Sequence, residues 1–321
     1  PKDDPGAGVR LIGVPCIRDR VVHATLKILL EPILDPTFSK HSYGFRPGCN
    51  QRQAVEAAQK IVQSGKEYVV DIDLSKFFDR VNHDRLIARL AKMIPDKRIL
   101  RLIGMILRSG VMSDGVVSAT SEGTTQGSPL SPLLSNVVLD ELDKELEARG
   151  VEFCRFADDC NLFAGSKTAA ERIMTNTRKF IENKLKLVVN EAKSKVTRSK
   201  FVKFLGMTIM AGTIAISTSA MNKGMAQVKE LIPRGTSAKR EQTMEKVNQW
   251  YWGWSEYFQM TQYPSQLEKI EAHIRRRFRA QFVDQQKKKR NLVEKLIKNG
   301  IPGPAAAKAV YCNKKRWALS L

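Results

Sequence analysis

The chain has 321 residues, 42% hydrophobic and 27% charged, which excludes a disordered polymer and exceeds one typical core, so two or three subdomains are expected. No apolar run approaches the roughly 18 residues of a spanning helix, which argues against a helical membrane protein. Lys and Arg outnumber Asp and Glu 54 to 33, a net charge of +21 that points to a polyanion partner, nucleic acid before membrane.

That charge is uneven. Met221 to Leu321 holds 21 basic and 8 acidic residues, so +13 of it lies in the last third, a basic grip behind a mixed-charge body. A solvated helical surface is the alternative. The cysteines (Cys16, Cys49, Cys154, Cys160, Cys312) are scattered, with no CxxC pair, so reduced thiols in an intracellular protein are expected and a zinc site is not. The chain opens "PKDDPG", without a methionine or a signal-peptide pattern.

In chain order, "VRLIGVP" predicts a strand and Arg18–Leu34 a helix. The Gly/Pro-rich "HSYGFRPGCN" precedes a helix over Gln51–Gln63. "EYVVDIDL" predicts a buried strand, and "NHDRLIARLAKMI" and "RILRLIGMILRSG" two helices. After a polar loop comes one long helix in "SPLLSNVVLDELDKELEARG", with Ser131 as cap, Pro132 in the first turn and Gly150 at the close. "EFCRFADDCNLFA" predicts a hairpin, followed by a helix over Thr168–Leu185 and a strand pair in "KLVVNEAKSKVTR". The β-α alternation stops near Ser217, and the remainder reads as helical, with breaks at "YPSQ" and "GIPGPA".

Adjacent aspartates, Asp158 and Asp159, stand at the hairpin tip, where Asn-Gly or Asp-Gly is usual. Asp71 and Asp73 end another buried strand and share one of its faces. Carboxylates converging from two segments raise one another's pKa unless a cation neutralises them. Hard oxygen ligands suit Mg²⁺, and paired ions of this kind serve polymerases and nucleases. For "ADD" taken alone, a solvated polar turn remains the alternative, and Asp71 competes with Asp73 as the first-strand ligand.

"FCRFADDCNLF" resembles the Tyr-Ala-Asp-Asp motif of reverse transcriptases, specifically those of bacterial group II introns. "PKDDPGAGVRLIGVPCIRDRVV" and "HSYGFRPGCN" resemble the two fingers motifs, and "YVVDIDLSKFFDRVNHDRL" the first palm motif. "GTTQGSPLSPLLSNVVLDELDKEL" is similar to the fourth block, and "KLKLVVNEAKSKV" with "KFLG" to the sixth and seventh. "WYWGWSEYF" and "HIRRRFR" resemble the maturase-specific thumb, and the tail resembles the start of a DNA-binding region. The order of the blocks, over nearly the whole chain, makes the resemblance specific.

The resemblance implies an α/β (α+β) right-hand polymerase: fingers over 1–65, palm over 66–217 with an antiparallel sheet plus helices, an all-helical thumb over 218–290, and 291–321 opening a DNA-binding region. It implies RNA-directed DNA synthesis, with Asp73, Asp158 and Asp159 as catalytic metal ligands for Mg²⁺ (Mn²⁺ as substitute). Phe78 would be the steric gate that rejects a 2′-hydroxyl, unless it is simply core. Lys2, Arg10 and Gln126 would hold the dNTP. Asn190, Lys193, Arg275, Arg276, Arg279, Lys287 and Lys288 would touch nucleic acid. Trp250, Trp254, Tyr257 and Phe258 follow helical spacing and read as thumb core.

Partners would be an RNA template (group II intron RNA), a DNA or RNA primer and dNTP in a bacterial cytoplasm, with no membrane and a homodimer left open. Phe156 departs from the family tyrosine, Thr125 from a proline and Ser128 from a glycine. No endonuclease module is visible, and the chain begins inside the first fingers motif, so a trimmed or partial member is expected. A maturase that binds RNA without chemistry, or a host-adopted relative in DNA repair or phage defence, are the alternatives.

Overall fold

Cap chemistry starts most helices where the sequence predicts them. The computed structural model describes residues 13–113, 116–118, 122–124, 127–233, 240–285 and 288–311. Helix α1 (Ile17–Leu34) begins behind Cys16, and α2 (Gln51–Gln63) behind Asn50, whose side chain and that of Gln53 form a reciprocal capping box. Helices α3 (His83–Leu90) and α4 (Lys97–Arg108) start behind Asn82 and Asp96, which accept from backbone N–H groups of the first turn. In α5 (Ser131–Ala148) the cap position is Leu130, without a side-chain bond, and the predicted cap Ser131 is already helical. Leu130 O accepts from Leu134 N at 3.2 Å, so the helical ladder starts one residue ahead of Ser131. Gly150, at φ +64°, closes the helix as expected. Helix α6 (Lys167–Phe180) is followed by a π turn, Ile181–Leu185, so the predicted helix to Leu185 is regular only as far as Phe180.

The strands are β1 (Tyr68–Ile72), β2 (Val111–Ser113), β3 (Val116–Ser118), β4 (Glu152–Phe156), β5 (Asp159–Ala164), β6 (Lys195–Arg198), β7 (Met207–Met210) and β8 (Thr213–Ile216). The central sheet has the order β4-β5-β1-β6, antiparallel throughout. Val70, Ile72, Phe153, Cys160 and Leu162 join Leu134, Leu142 and Leu146 of α5 and Ala170 of α6 in the main core. Strands β2 and β3 pair where the sequence predicts only a polar loop.

Two further expectations differ. The strand pair predicted in "KLVVNEAKSKVTR" is only β6; Lys186 turns left-handed at φ 57°, and Val189 makes a single bridge to Leu74. The strand predicted in "VRLIGVP" falls mostly outside the described residues, and Gly13–Pro15 carries no regular structure.

The chain forms two compact units. The first runs to Leu205 and includes Ile209–Gly212; the second holds Gly206–Thr208 and the chain from Thr213 on. The second contains α7 (Thr218–Leu231), α8 (Arg240–Phe258), α9 (Pro264–Gln285), α10 (Lys289–Lys298) and α11 (Gly303–Tyr311). Its core gathers Val228, Ile232, Val247 and Ile270 with Trp250 and Trp254. The rings of Trp250, Trp254 and Phe258 follow one another at 5.9 and 4.7 Å, the packing role that their spacing predicts. A Cβ on Gly224 would stand 3.2 Å from Trp254 Cζ2, so a side chain there would push the indole by a few tenths of an ångström. Buried Arg277 donates to the carbonyls of Lys229 and Ile232 and so closes α7. Among the described residues no helix is long and apolar enough to cross a membrane.

Candidate functional site

Strands β1 and β5 pair as far as Ile72 opposite Cys160, so Asp73, just past the end of β1, and Asp159, the first residue of β5, lie at the same end of the ladder. Phe156 pairs with Asp159, leaving Ala157 and Asp158 as a two-residue loop. The period of two puts Asp71, Asp73, Asp159 and Asn161 on one face, opposite to the Val70–Ile72 face that enters the core. The ladder thus brings Asp73 to the Asp158–Asp159 tip.

These carboxylates act on one another. Burial pushes the Asp159 carboxyl up to about 7; Asp71, Asp158 and Asp73 add to the rise, and Lys203 opposes it. Asp159 keeps part of its surface in water, although protein crowds its carboxyl. Asp71 is also raised, by burial first and then Asp73, against the pull of Lys195. Asn161 is buried, and its Oδ1 accepts no hydrogen bond.

Among the described residues no three His, Cys, Asp or Glu side chains are gathered as a finished ion cage. The ladder fixes the backbones, whereas side-chain rotamers decide convergence. The donor set itself fits a hard divalent cation: it is all oxygen and strongly negative, with an unpartnered buried amide oxygen alongside.

The tip is held by groups that the sequence reading missed. Ala157 has φ 58°, a left-handed position at the first loop residue where glycine is usual. Arg155, fully buried, donates through Nη1 to Ala157 O (2.8 Å) and Asn136 Oδ1 (3.0 Å). Its Nε and Nη2 donate to Asp143 Oδ1 (2.8 Å) and Oδ2 (2.6 Å), a bidentate pair. Asn136 Nδ2 in turn donates to Gly44 O at 2.9 Å. A Cβ on Gly44 would lie 2.2 Å from Ala157 N, so only glycine fits there. The segment around Gly44 runs beside β4 through Tyr43 N to Arg155 O and Arg155 N to His41 O, both 2.9 Å. The one sequence signal was a lone cation inside an apolar strand.

Asp73 is clamped by its backbone. Its N–H donates to Ser194 Oγ (3.0 Å), and its carbonyl accepts from Asn190 N (2.8 Å). Asn190 therefore lies at the site through its main chain, and Lys193, exposed, shares the same turn.

Phe78 sits half-buried in a 3-10 turn, its ring 5.2 Å from that of Phe77. Its carbonyl accepts from Thr124 N at 2.6 Å, and a Cβ on Gly123 would come within 3.0 Å of Phe78 O. The segment leading to Gln126 is thus stitched to Phe78; Gln126 itself, with Lys2, Arg10 and Lys287, lies outside the described residues. Ser128 is buried, its hydroxyl 2.9 Å from His23 Nδ1. Arg275 and Arg279 are exposed on α9, Arg276 is half-buried, and Lys288 is exposed ahead of α10. All four belong to the second unit and the carboxylates to the first.

Residues 1–209 match the family described as reverse transcriptase (RNA-dependent DNA polymerase), and residues 221–298 match the group II intron maturase-specific domain. Protein YkfC of Escherichia coli (strain K12) is 31% identical over 59% of this chain and 59% of its own length. Group II intron-encoded protein LtrA of Lactococcus lactis subsp. cremoris is 33% identical over 59% of this chain but only 30% of its own length. The chain therefore spans less than two thirds of either relative. Apo telomerase from Candida tropicalis aligns over 94% of this chain and 55% of that chain with a TM-score of 0.52 and 12% identity, a likeness of fold alone.

Proposed function

Because the chain belongs to the reverse transcriptase family and carries a group II intron maturase-specific domain, we propose that it is an RNA-directed DNA polymerase of the group II intron type, joining dNTPs to a primer 3′-hydroxyl. The observation that supports this most is the register that ends β1 and β5 at Ile72 opposite Cys160, so that Asp73 follows at the same end of the ladder as the Asp158–Asp159 turn. Asp73, Asp158 and Asp159 would hold Mg²⁺ or Mn²⁺. Such ions, when bound, lower the pKa of the attacking hydroxyl and neutralise charge on the phosphates.

The remaining work falls to the chain's own residues. Ser194 and the Asn190 backbone hold Asp73, while Arg155 holds the turn that carries Asp158. Phe78 would crowd the 2′ position of the sugar. Lys2, Arg10 and Gln126 would surround the triphosphate and base. The division in this reading is fingers to residue 65, palm to 217, thumb to 290 and the start of a DNA-binding region beyond. Asn190, Lys193, Arg275, Arg276, Arg279, Lys287 and Lys288 would contact nucleic acid, adding phosphate attraction without reading sequence.

Purified protein is expected to extend a DNA primer on an RNA template with dNTPs and Mg²⁺. A wild-type chain that extends nothing with either metal overturns the proposal. Phe78→Ala is expected to raise ribonucleotide incorporation relative to dNTP by about tenfold, because removing the ring opens space for a hydroxyl. Unchanged sugar selection in competition assays would remove the gate role.

The match to the maturase-specific domain favours a second activity, RNA binding that assists splicing. Asp158→Ala is expected to lose primer extension and keep splicing assistance, measured as the rate of intron excision. Loss of both together would argue that RNA folding depends on the carboxylate site.

A further inference from the structure

We propose that Phe45 is a nucleobase-stacking residue at the edge of the carboxylate site, presenting its ring to a templating or incoming base; this rests on the polymerase reading above. Phe45 has φ 57°, the left-handed region that favours glycine or asparagine and in which a bulky aromatic is an outlier. Its side chain is nevertheless 49% exposed. A strained backbone combined with an exposed apolar ring is not explained by packing, and such positions gather at functional sites.

The surroundings hold the strain in place. On one side Gly44 presses on the Ala157 backbone, and its carbonyl accepts from Asn136. On the other side Arg46 donates to Asp35 Oδ1 (2.7 Å), Asp35 O (3.1 Å), Ser39 O (2.6 Å) and Ser42 O (2.9 Å), with its guanidinium over the Phe38 ring. The Phe45 ring lies 6.4 Å from that of Phe156, tilted by 45°. Phe156 is half-buried and pairs with Asp159, so the two rings form an aromatic ledge beside the Asp158–Asp159 turn.

Every base offers a π-face to such a ledge. A ring without hydrogen-bonding atoms accepts all four, as a polymerase copying any sequence requires. An exposed phenyl also adds little to stability, so function and folding separate at this residue.

The test compares Phe45→Ala, Phe45→Trp and Phe45→Gly with wild type, reading the melting temperature, equilibrium affinity for an RNA–DNA template–primer, and the KM for each dNTP. Phe45→Ala is expected to weaken binding roughly tenfold, the effect of losing one stacked base, alike for all four bases. A loss in template–primer affinity identifies a templating base, and a rise in KM for dNTP the incoming one. Phe45→Trp should restore the lost affinity. Phe45→Gly should show the same loss with an unchanged or higher melting temperature, since glycine relieves the left-handed strain.

Affinity and KM within twofold of wild type in Phe45→Ala would overturn the proposal. So would a loss that follows a fall in melting temperature and is not restored by Trp. If the wild type makes no DNA, the polymerase reading fails, yet the affinity measurement still decides whether Phe45 stacks on nucleic acid.

Discussion

Asp159→Asn is expected to abolish primer extension and, in metal-free buffer, to make the protein harder to melt. The first effect follows from the proposed assignment, in which Asp159 is one of three charged oxygen donors to the metal ions. Losing several kcal/mol of charge stabilisation slows the reaction by about 10³-fold or more. The second follows from the crowding of Asp159 by burial and by Asp71, Asp158 and Asp73, which lifts its carboxyl to about 7. An acid whose folded pKa is raised binds protons more tightly folded than unfolded. Stability therefore falls as pH rises from about 4 to about 7 and is level above that. Asparagine removes the penalty. With the partial solvent exposure of Asp159 discounted, the gain is about 1–2 kcal/mol, or roughly 2–8 °C, above pH 7, fading toward pH 4. Calorimetry in EDTA across that range checks it, and a lower melting temperature for the variant at pH 8 would contradict the crowding.

Asp143→Ala is expected to cost about 3–5 kcal/mol, because Arg155 would be left charged, fully buried and without its bidentate partner. Thermal melting should fall by about 10 °C or more. Combining Asp143→Leu with Arg155→Met replaces the pair by apolar groups of similar volume, and about half or more of the stability should return. Synthesis should not return with it, because the bond from Arg155 Nη1 to Ala157 O disappears in the double variant and the turn carrying Asp158 loses its anchor. A positioning role is read as a lower kcat with unchanged template–primer affinity. Full activity in a stable double variant would show that the turn holds its shape unaided.

Local chemistry was the legible part of this fold. Helix α2 follows from its amphipathic spacing behind a Gly/Pro-rich loop, and the β4–β5 hairpin from alternating apolar residues around the aspartates. Same-face placement of Asp71 and Asp73 needed only the period of a strand. What pairs with that face did not follow from periodicity, because Tyr68 opposite Ala164 is a contact across almost a hundred residues. The resemblance to reverse transcriptases supplied it.

The support of the turn was out of reach for the same reason. Gly44, Arg155 and the pair Asn136 and Asp143 of α5 lie in three separate segments, and each alone reads as an ordinary loop, strand or helix residue. Ser131 reads as a cap from its type, yet the Leu130 carbonyl already accepts from Leu134 N, which makes Ser131 the first helical residue. The β2–β3 hairpin escaped because its strands, Val111–Ser113 and Val116–Ser118, are too short for alternation to register.

Anomalous diffraction from crystals grown with Mn²⁺, a dNTP and a template–primer tests the shared-ion claim most directly. Anomalous peaks coordinated by Asp73 together with Asp158 or Asp159 are the expected result. Peaks that leave Asp73 out of the coordination, or that lie away from the β4–β5 turn, would contradict it.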